Sequence, residues 1–337
     1  MSSSEVKTKV IIPQGWHGNL NESQQTAYNT FKQKVESQFG SSSSSETWFD
    51  EVTILRFLRA RKFNVEKAIE QFSATDEWRK EINLEHLYRT ASANELDQSR
   101  RHYPRFLGRR DKQGRPIFVL RPGSLDSERQ KEMFSVPSKR QFERIAILTE
   151  LMNRLWLPMA SFLLAKEHPV EGEDINQNPR IISEVTSIVD LGGASLSTMW
   201  TLRNHLKQAS VLNSAHYPET LGTLALVNVP AFFTTIWGWI QKWFDEGTRN
   251  KMFIVDGNQL KQGKLHEIIH PYDLPKVYGG EVEWQYEDEP NLEPEIISLL
   301  GAKQIPNGPA EWKNGELILF DASEKERFPN AIVGTQS

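Results

Sequence analysis

Between Glu219 and Lys242 the chain runs for 22 residues without a charge, reading TLGTLALVNVPAFFTTIWGWIQ from Thr220 to Gln241. A transmembrane helix needs roughly 20 mostly apolar residues, so this is where a membrane span must be accepted or refused. The interior of the run refuses it. Asn228 and Pro230 sit in its middle, and the residue before a proline is pushed towards extended geometry. The run therefore reads as two elements. Leu224 to Val229 is short and apolar, as in a strand buried on both faces. From Ala231 the spacing is helical, and Pro230 suits the first turn. At about 100° per residue, Phe232, Phe233, Ile236, Trp237, Trp239, Ile240, Trp243 and Phe244 fill one wide arc, and Thr234, Thr235, Gly238, Gln241 and Lys242 fill the other. Two meanings fit such an arc: a helix buried on a sheet, or a lid whose indoles meet a wet or lipid boundary. Periodicity leaves both open.

The remaining composition narrows the classes. A chain of 337 residues accommodates one large or two moderate domains. It contains no cysteine, which excludes disulfides, thiolate nucleophiles and cysteine-ligated metals. A formal charge of −4 argues against general affinity for nucleic acid, whose phosphates favour a strongly basic face. The N-terminal segment MSSSEVKTKVIIPQGW lacks the apolar stretch and cleavage site of a signal peptide, so the expected location is the cytoplasm. Other uncharged stretches, Leu155 to Ala165 and Leu191 to Leu202, are too short to span a bilayer.

Along the chain, residues 20 to 100 read as all-helical, interrupted by a serine loop at Ser41 to Ser45. Val52, Leu55, Phe57 and Leu58 recur at helical spacing, Asn64 is placed to cap the next helix, and Ala68, Ile69, Phe72 and Trp78 follow. The segment Asp111 to Pro116 reads as a turn feeding a strand at Ile117 to Arg121. A long helix is expected over Lys139 to Leu157. Strands at Thr186 to Leu191, Leu224 to Val229 and Met252 to Val255 alternate with helices at Thr198 to Ala209 and Ala231 to Phe244. Such alternation implies a largely parallel sheet covered by helices. Beyond Gly280 the chain turns acidic and reads as a tail wrapping that domain.

The loudest catalytic pattern is His266-Glu267-Ile268-Ile269-His270, formally the motif in which two histidines one helical turn apart bind zinc and a glutamate activates water. Pro271 ends any helix at once, and no third ligand stands at a short fixed spacing. No glycine-rich phosphate loop and no GxSxG elbow is present. The basic cluster Arg56, Arg59, Arg61 and Lys62 reads either as a solvated helix face or as a phosphate fork.

ILRFLRARKFNVEKAIEQF, followed by Trp78-Arg79-Lys80, resembles the N-terminal helical segment of the Sec14-like, or CRAL-TRIO, family. DKQGRPIF, SIVDLGG, His216-Tyr217-Pro218-Glu219, VNVP and LPKVYGG then follow in the family's order, so the resemblance covers about residues 15 to 281. It implies an α/β fold: an N-terminal all-α bundle, then a CRAL-TRIO lobe with a mostly parallel sheet, helices and a hydrophobic lipid pocket. The domains expected on this basis are 15–100, 101–281 and a C-terminal tail, 282–337, packing on the lipid-binding domain. The implied activity is binding of phosphatidylinositol and its transfer between membranes in support of phosphoinositide signalling, with no catalysis, metal or cofactor. The segment Ala231 to Phe244 matches the family's gate helix, with Phe233, Ile236, Trp237, Ile240 and Phe244 on its apolar face.

The resemblance also assigns residues. Arg61, Glu219, Thr248 and Lys251 match the phosphatidylinositol headgroup set. Leu107, Phe118, Val185 and Ser187 stand where phosphatidylcholine-binding members carry two tyrosines, a serine and a threonine. Only Ser187 keeps a hydroxyl there, and the loss of two phenols removes aromatic cover for a quaternary ammonium. The implied partners are phosphatidylinositol, a membrane surface visited peripherally and a lipid kinase, with the protein a monomer. The alternatives are a sensor presenting a sterol or other phospholipid to a partner and, more distantly, a zinc hydrolase through His266 and His270.

Overall fold

The computed structural model describes residues 12, 14–43, 47–168, 182–243 and 246–335, without the side chains of residues 234, 236, 239, 240 and 243. Two compact units emerge, residues 1–74 and 75–337. In the first, Asn21 opens α1 (Glu22–Phe39) with a capping box closed by Gln24, which satisfies two orphan amides reciprocally. Asp50 caps α2 (Glu51–Ala60) by accepting from the Thr53 amide at 2.8 Å. Lys62 and Phe63, at φ 51° and 61°, turn the chain. Asn64 then caps α3 (Val65–Glu81) through the Lys67 amide, 3.0 Å away, as its sequence position predicts. Phe31, Leu55, Phe57 and Phe72 form the centre of this unit's core, with Trp48 stacked on Phe72 at 4.9 Å. Of the four basic residues that cluster in sequence, two lie in α2, Arg61 ends it and Lys62 belongs to the turn that follows. Arg56 is buried and Arg59 lies 3.9 Å over the Trp16 ring.

The second unit opens with α4 (Leu84–Arg89) and α5 (Ala93–Arg100) and enters a sheet through β1 (Arg105–Arg110) and β2 (Pro116–Leu120). After α6 (Ser127–Ser135), α7 (Ser138–Leu151) and α8 (Leu157–Glu167) come β3 (Val185–Asp190), α9 (Leu196–His216), β4 (Leu221–Val227), α10 (Phe233–Ile240), α11 (Glu246–Asn250), β5 (Met252–Val255) and α12 (Gly257–Lys261). The strands lie in the order β1 to β5, with β1 antiparallel to β2 and the rest parallel. The predicted mostly parallel sheet is thus present, and α9 is longer than its spacing suggested. The helix expected to end at Leu157 instead continues. A π-helical turn at Met152–Trp156 joins α7 to α8 and carries the chain past Pro158, whose missing amide a regular helix would need.

At that turn sits a buried ionic network. Glu150 accepts from Arg79 at 2.7 and 3.2 Å, from Arg154 at 2.6 Å and from the Tyr217 hydroxyl at 2.7 Å. Arg154 also pairs with Glu85 at 2.6 Å and Glu311 at 2.8 Å. Burial alone would raise both carboxyls, but the guanidinium groups reverse this: Arg154 and Arg89 bring Glu85 down to about 2, and Arg79 and Arg154 hold Glu150 well below its ordinary value. A carboxyl depressed on folding stabilises above its unfolded value and loses that contribution as pH falls. Urea midpoints should therefore drop between pH 4.5 and about 2, and midpoints that stay flat across that window would contradict this assignment.

The strand ends are tied together by Asp190. Its Oδ1 accepts from the Gly192 amide and the Asn228 side chain, both at 2.9 Å, and its Oδ2 from the Tyr278 hydroxyl at 3.1 Å. Three separate sequence motifs, SIVDLGG, VNVP and LPKVYGG, thus converge on one buried carboxylate. Asn228 stands at φ 52°, which ends the strand before Pro230 and splits the charge-free run as expected.

The two faces of the sheet differ. On one, Leu107, Ile117, Val119, Ile188, Ala225 and Val255 are sealed by the chain that follows α12, through Leu265, Leu274, Tyr278 and Trp284. On the other, Phe118, Ser187, Leu224 and Met252 fall in register across four strands. Ser187, Leu224 and Met252 are only half-buried there, and Ile254 is 45% exposed.

The acidic C-terminal part is more structured than its composition suggests. It first runs along the free edge of β1, where the Asn291 amide donates to Leu107 O at 2.9 Å and the Glu293 amide to Gly108 O at 3.0 Å. Gly108, at φ 91°, permits this approach, since a Cβ there would lie 2.7 Å from the Asn291 backbone. The chain then forms α13 (Pro294–Leu300) and a second sheet of β6 (Ala310–Lys313), β7 (Glu316–Leu319) and β8 (Ile332–Val333).

Candidate functional site

Parallel strands start at one edge of a sheet, so the residues just before each strand come together. Arg115 precedes β2, Glu184 precedes β3, Glu219 precedes β4 by two residues, and Lys251 precedes β5. The Lys251 ammonium donates to Leu221 O at 2.7 Å and lies 3.3 Å from Glu184 and 3.4 Å from Glu219. Glu184 also accepts from Arg115 at 2.7 Å. Gly222 leaves room for that pair, because a Cβ there would come within 2.8 Å of the Arg115 guanidinium. Two cations and two carboxylates therefore balance in a half-covered cluster, with Lys251 and Glu219 side chains 24% and 21% exposed. A charge-balanced cluster with residual access can exchange an internal carboxylate for an incoming phosphate at the same cations.

Glu219 is held at φ 57°, a left-handed conformation rare outside glycine and asparagine. The adjacent Thr220 anchors it, its hydroxyl donating to Tyr217 O at 2.9 Å and its carbonyl accepting from the Val185 amide at 2.8 Å. Strain of this kind concentrates at ligand sites. Thr248, half-buried in α11, accepts the Lys251 amide at 3.1 Å through its carbonyl. The structure thus brings Glu219 and Lys251 together and sets Thr248 on the turn that leads into Lys251. Arg61 belongs to the first unit, where it ends α2 and donates to Ala60 O at 3.1 Å. Glu184 and Arg115 were not among the residues predicted. Their signal was present, since each directly precedes a strand.

Of the four residues predicted to line a pocket, Phe118 and Ser187 share the half-covered face and Val185 joins them by strand alternation. Leu107 does not. Phe106 pairs in register with Phe118, so the next residue points the other way, and Leu107 is fully buried in the sealed core. Beside Phe118 opens a cavity of about 350 Å³, with Phe106 and Trp156 in its wall and Arg100, Arg105 and Glu132 at its polar side. Phe106 stacks on Trp156 at 4.3 Å and lies 5.5 Å from Phe118.

The apolar helix of the charge-free run is α10, continued by a 3-10 turn at Gln241–Trp243. It packs against the half-open face towards the C-terminal ends of β3 and β4. Phe233 is 2% exposed and packs with Leu191, Met199 and Leu226, with half-buried Trp237 against them. The rings of Phe233 and Trp237 lie 5.5 Å apart. The side chains of Ile236 and Ile240, and all of Phe244, lie outside the described residues.

The histidine pair departs from its motif. Lys264–Glu267 is a 3-10 turn and His270 precedes another, so the two imidazoles do not share an α-helical face. His266 Nε2 lies 2.9 Å from Gly279 O, and His270 stacks on Tyr272 at 4.9 Å. Among the described residues no group of three or more His, Asp or Glu side chains is placed to hold a metal ion, and no helix is long and apolar enough to cross a membrane.

The sequence model of the CRAL/TRIO domain matches residues 100–280, and that of the CRAL/TRIO N-terminal domain matches 27–74. The Sec14 cytosolic factor of Schizosaccharomyces pombe is 27% identical over 275 residues, covering 81% of this chain and 87% of that protein. The Arabidopsis thaliana phosphatidylinositol/phosphatidylcholine transfer protein SFH7 is 30% identical over 229 residues, 67% of this chain and 38% of that protein. Among solved structures, that of Sfh5 superposes with a TM-score of 0.55 at 19% identity, covering 83% of this chain and 96% of that one, which establishes likeness of fold.

Proposed function

Because this chain belongs to the CRAL-TRIO family of Sec14-like proteins, we propose that it binds phosphatidylinositol and carries it between membranes as a lipid carrier without catalysis. The observation that carries this reading is the meeting of Glu219 and Lys251, 3.4 Å apart, at the starting edge of the parallel strands. The ammonium suits the phosphodiester and the carboxylate suits the inositol hydroxyls. Thr248, three residues before Lys251, adds a hydroxyl-bearing side chain to the proposed set. Acyl chains would lie on the face carrying Phe118, Ser187 and Leu224, under α10. Extraction from a bilayer requires that this face match the environment lost, at roughly 0.8 kcal/mol per CH₂. The protein would act as a cytoplasmic monomer, peripheral to membranes, supplying a lipid kinase.

A second reading is a sensor that holds a sterol or another phospholipid. It is favoured by the loss of polar groups at the choline positions, where Leu107 and Phe118 replace two phenols and Val185 replaces a hydroxyl side chain. Native mass spectrometry of the purified protein separates the two. A co-purified mass of phosphatidylinositol is expected, and a sterol alone would overturn the first reading.

A further inference from the structure

The inner side of α9 packs against the gate, with Met199 and half-buried Leu206 joining Phe233 and Trp237. Its outer side is unlike an ordinary solvated helix face. At about 100° per residue, Leu196, Trp200, Arg203, Lys207 and Val211 fall within an arc of about 80°. Leu196 is 52% exposed, Trp200 59% and Val211 55%, with Lys207 exposed and Arg203 half-buried between them. The Arg203 guanidinium lies 4.1 Å over the Trp200 ring, which sets the indole alongside the cations. The helix LSTMWTLRNHLKQASVLNSAH contains no aspartate or glutamate, in a chain where acids outnumber lysine plus arginine 44 to 40.

We propose that this outer face of α9 docks on an anionic bilayer. An indole favours the headgroup boundary, short aliphatic side chains sink just beneath it, and lysine and arginine meet lipid phosphates. The charge of the stripe is complementary to an anionic leaflet along its whole length. The same helix backs the gate, so docking by α9 sets α10 against the lipid from which cargo is taken. This deepens the lipid-carrier reading and rests on it for purpose, while its evidence is the stripe alone.

The test is sedimentation of the full chain with phosphatidylcholine vesicles, with and without phosphatidylserine. The parent protein is expected to partition onto the phosphatidylserine vesicles and to be released by salt. Trp200→Ala and Lys207→Glu should each weaken partitioning by about fivefold or more. Lys207 is exposed, so its variant keeps the test valid even where loss of the indole perturbs folding. Both variants should carry the same co-purified lipid as the parent in native mass spectra. Failure of the phosphatidylinositol reading would appear as a different cargo in every protein, with vesicle binding unaffected. Equal sedimentation of parent and both variants would overturn the docking surface. So would a concentration-dependent dimer abolished by Trp200→Ala, which would give the face to a second copy.

Discussion

Truncating Glu150 to alanine is expected to destabilise the second unit by roughly 3–5 kcal/mol. The carboxylate is 3% exposed and takes hydrogen bonds from Arg79, Arg154 and the Tyr217 hydroxyl. Its removal takes from Arg79, itself 7% exposed, the carboxylate that accepts two of its hydrogen bonds, and from the Tyr217 hydroxyl the acceptor at 2.7 Å. Arg154 would fare better, because Glu85 and Glu311 still flank it. The loss is therefore a desolvation penalty concentrated on Arg79 and Tyr217, beyond the value of the bonds themselves. Urea unfolding should show a lowered midpoint with an unchanged slope. A midpoint within experimental error of the parent would mean that the network is dispensable.

Replacing Lys251 by alanine and Glu219 by glutamine should remove phosphatidylinositol transfer between vesicles while the fold survives. A charge-assisted hydrogen bond contributes about 1.5–3 kcal/mol, so each change is expected to weaken headgroup binding by about tenfold to a hundredfold. The structure explains why folding tolerates the loss. Glu184 retains Arg115 at 2.7 Å after Lys251 is gone, and Glu219 is partly exposed to water. Undiminished transfer by the double variant, with circular dichroism matching the parent, would sink the headgroup assignment.

The parts of the fold legible in the sequence are those specified locally. Asn64 caps α3 where expected, and the Asn228–Pro230 break separates β4 from α10. Strand β1 was not legible, since RFLGRR carries three arginines in six residues. Two of them are neutralised from far along the chain: Arg110 by Glu167 and Glu293, and Arg109 by a longer contact of 3.5 Å to Asp273. No window around residue 108 contains those partners. The second sheet was hidden for a similar reason, because β6 depends on Tyr88, whose hydroxyl donates to Ala310 O at 2.6 Å across more than 200 residues. The ionic cluster at the starting ends of the parallel strands was half-legible. Glu219 and Lys251 belong to recognisable motifs, whereas the role of Glu184 depends on parallel strand register, which fixes which residues meet at the edge.

The course of the chain along β1 has a consequence for how copies of this protein avoid one another. An exposed edge strand is a template onto which a neighbour's strand can add, the route to fibrous association. Here the donors at Asn291 and Glu293 already occupy the Leu107 and Gly108 carbonyls. The molecule supplies its own strand-like partner on the β1 side, so that edge of the sheet offers no template to a neighbour even at high local concentration.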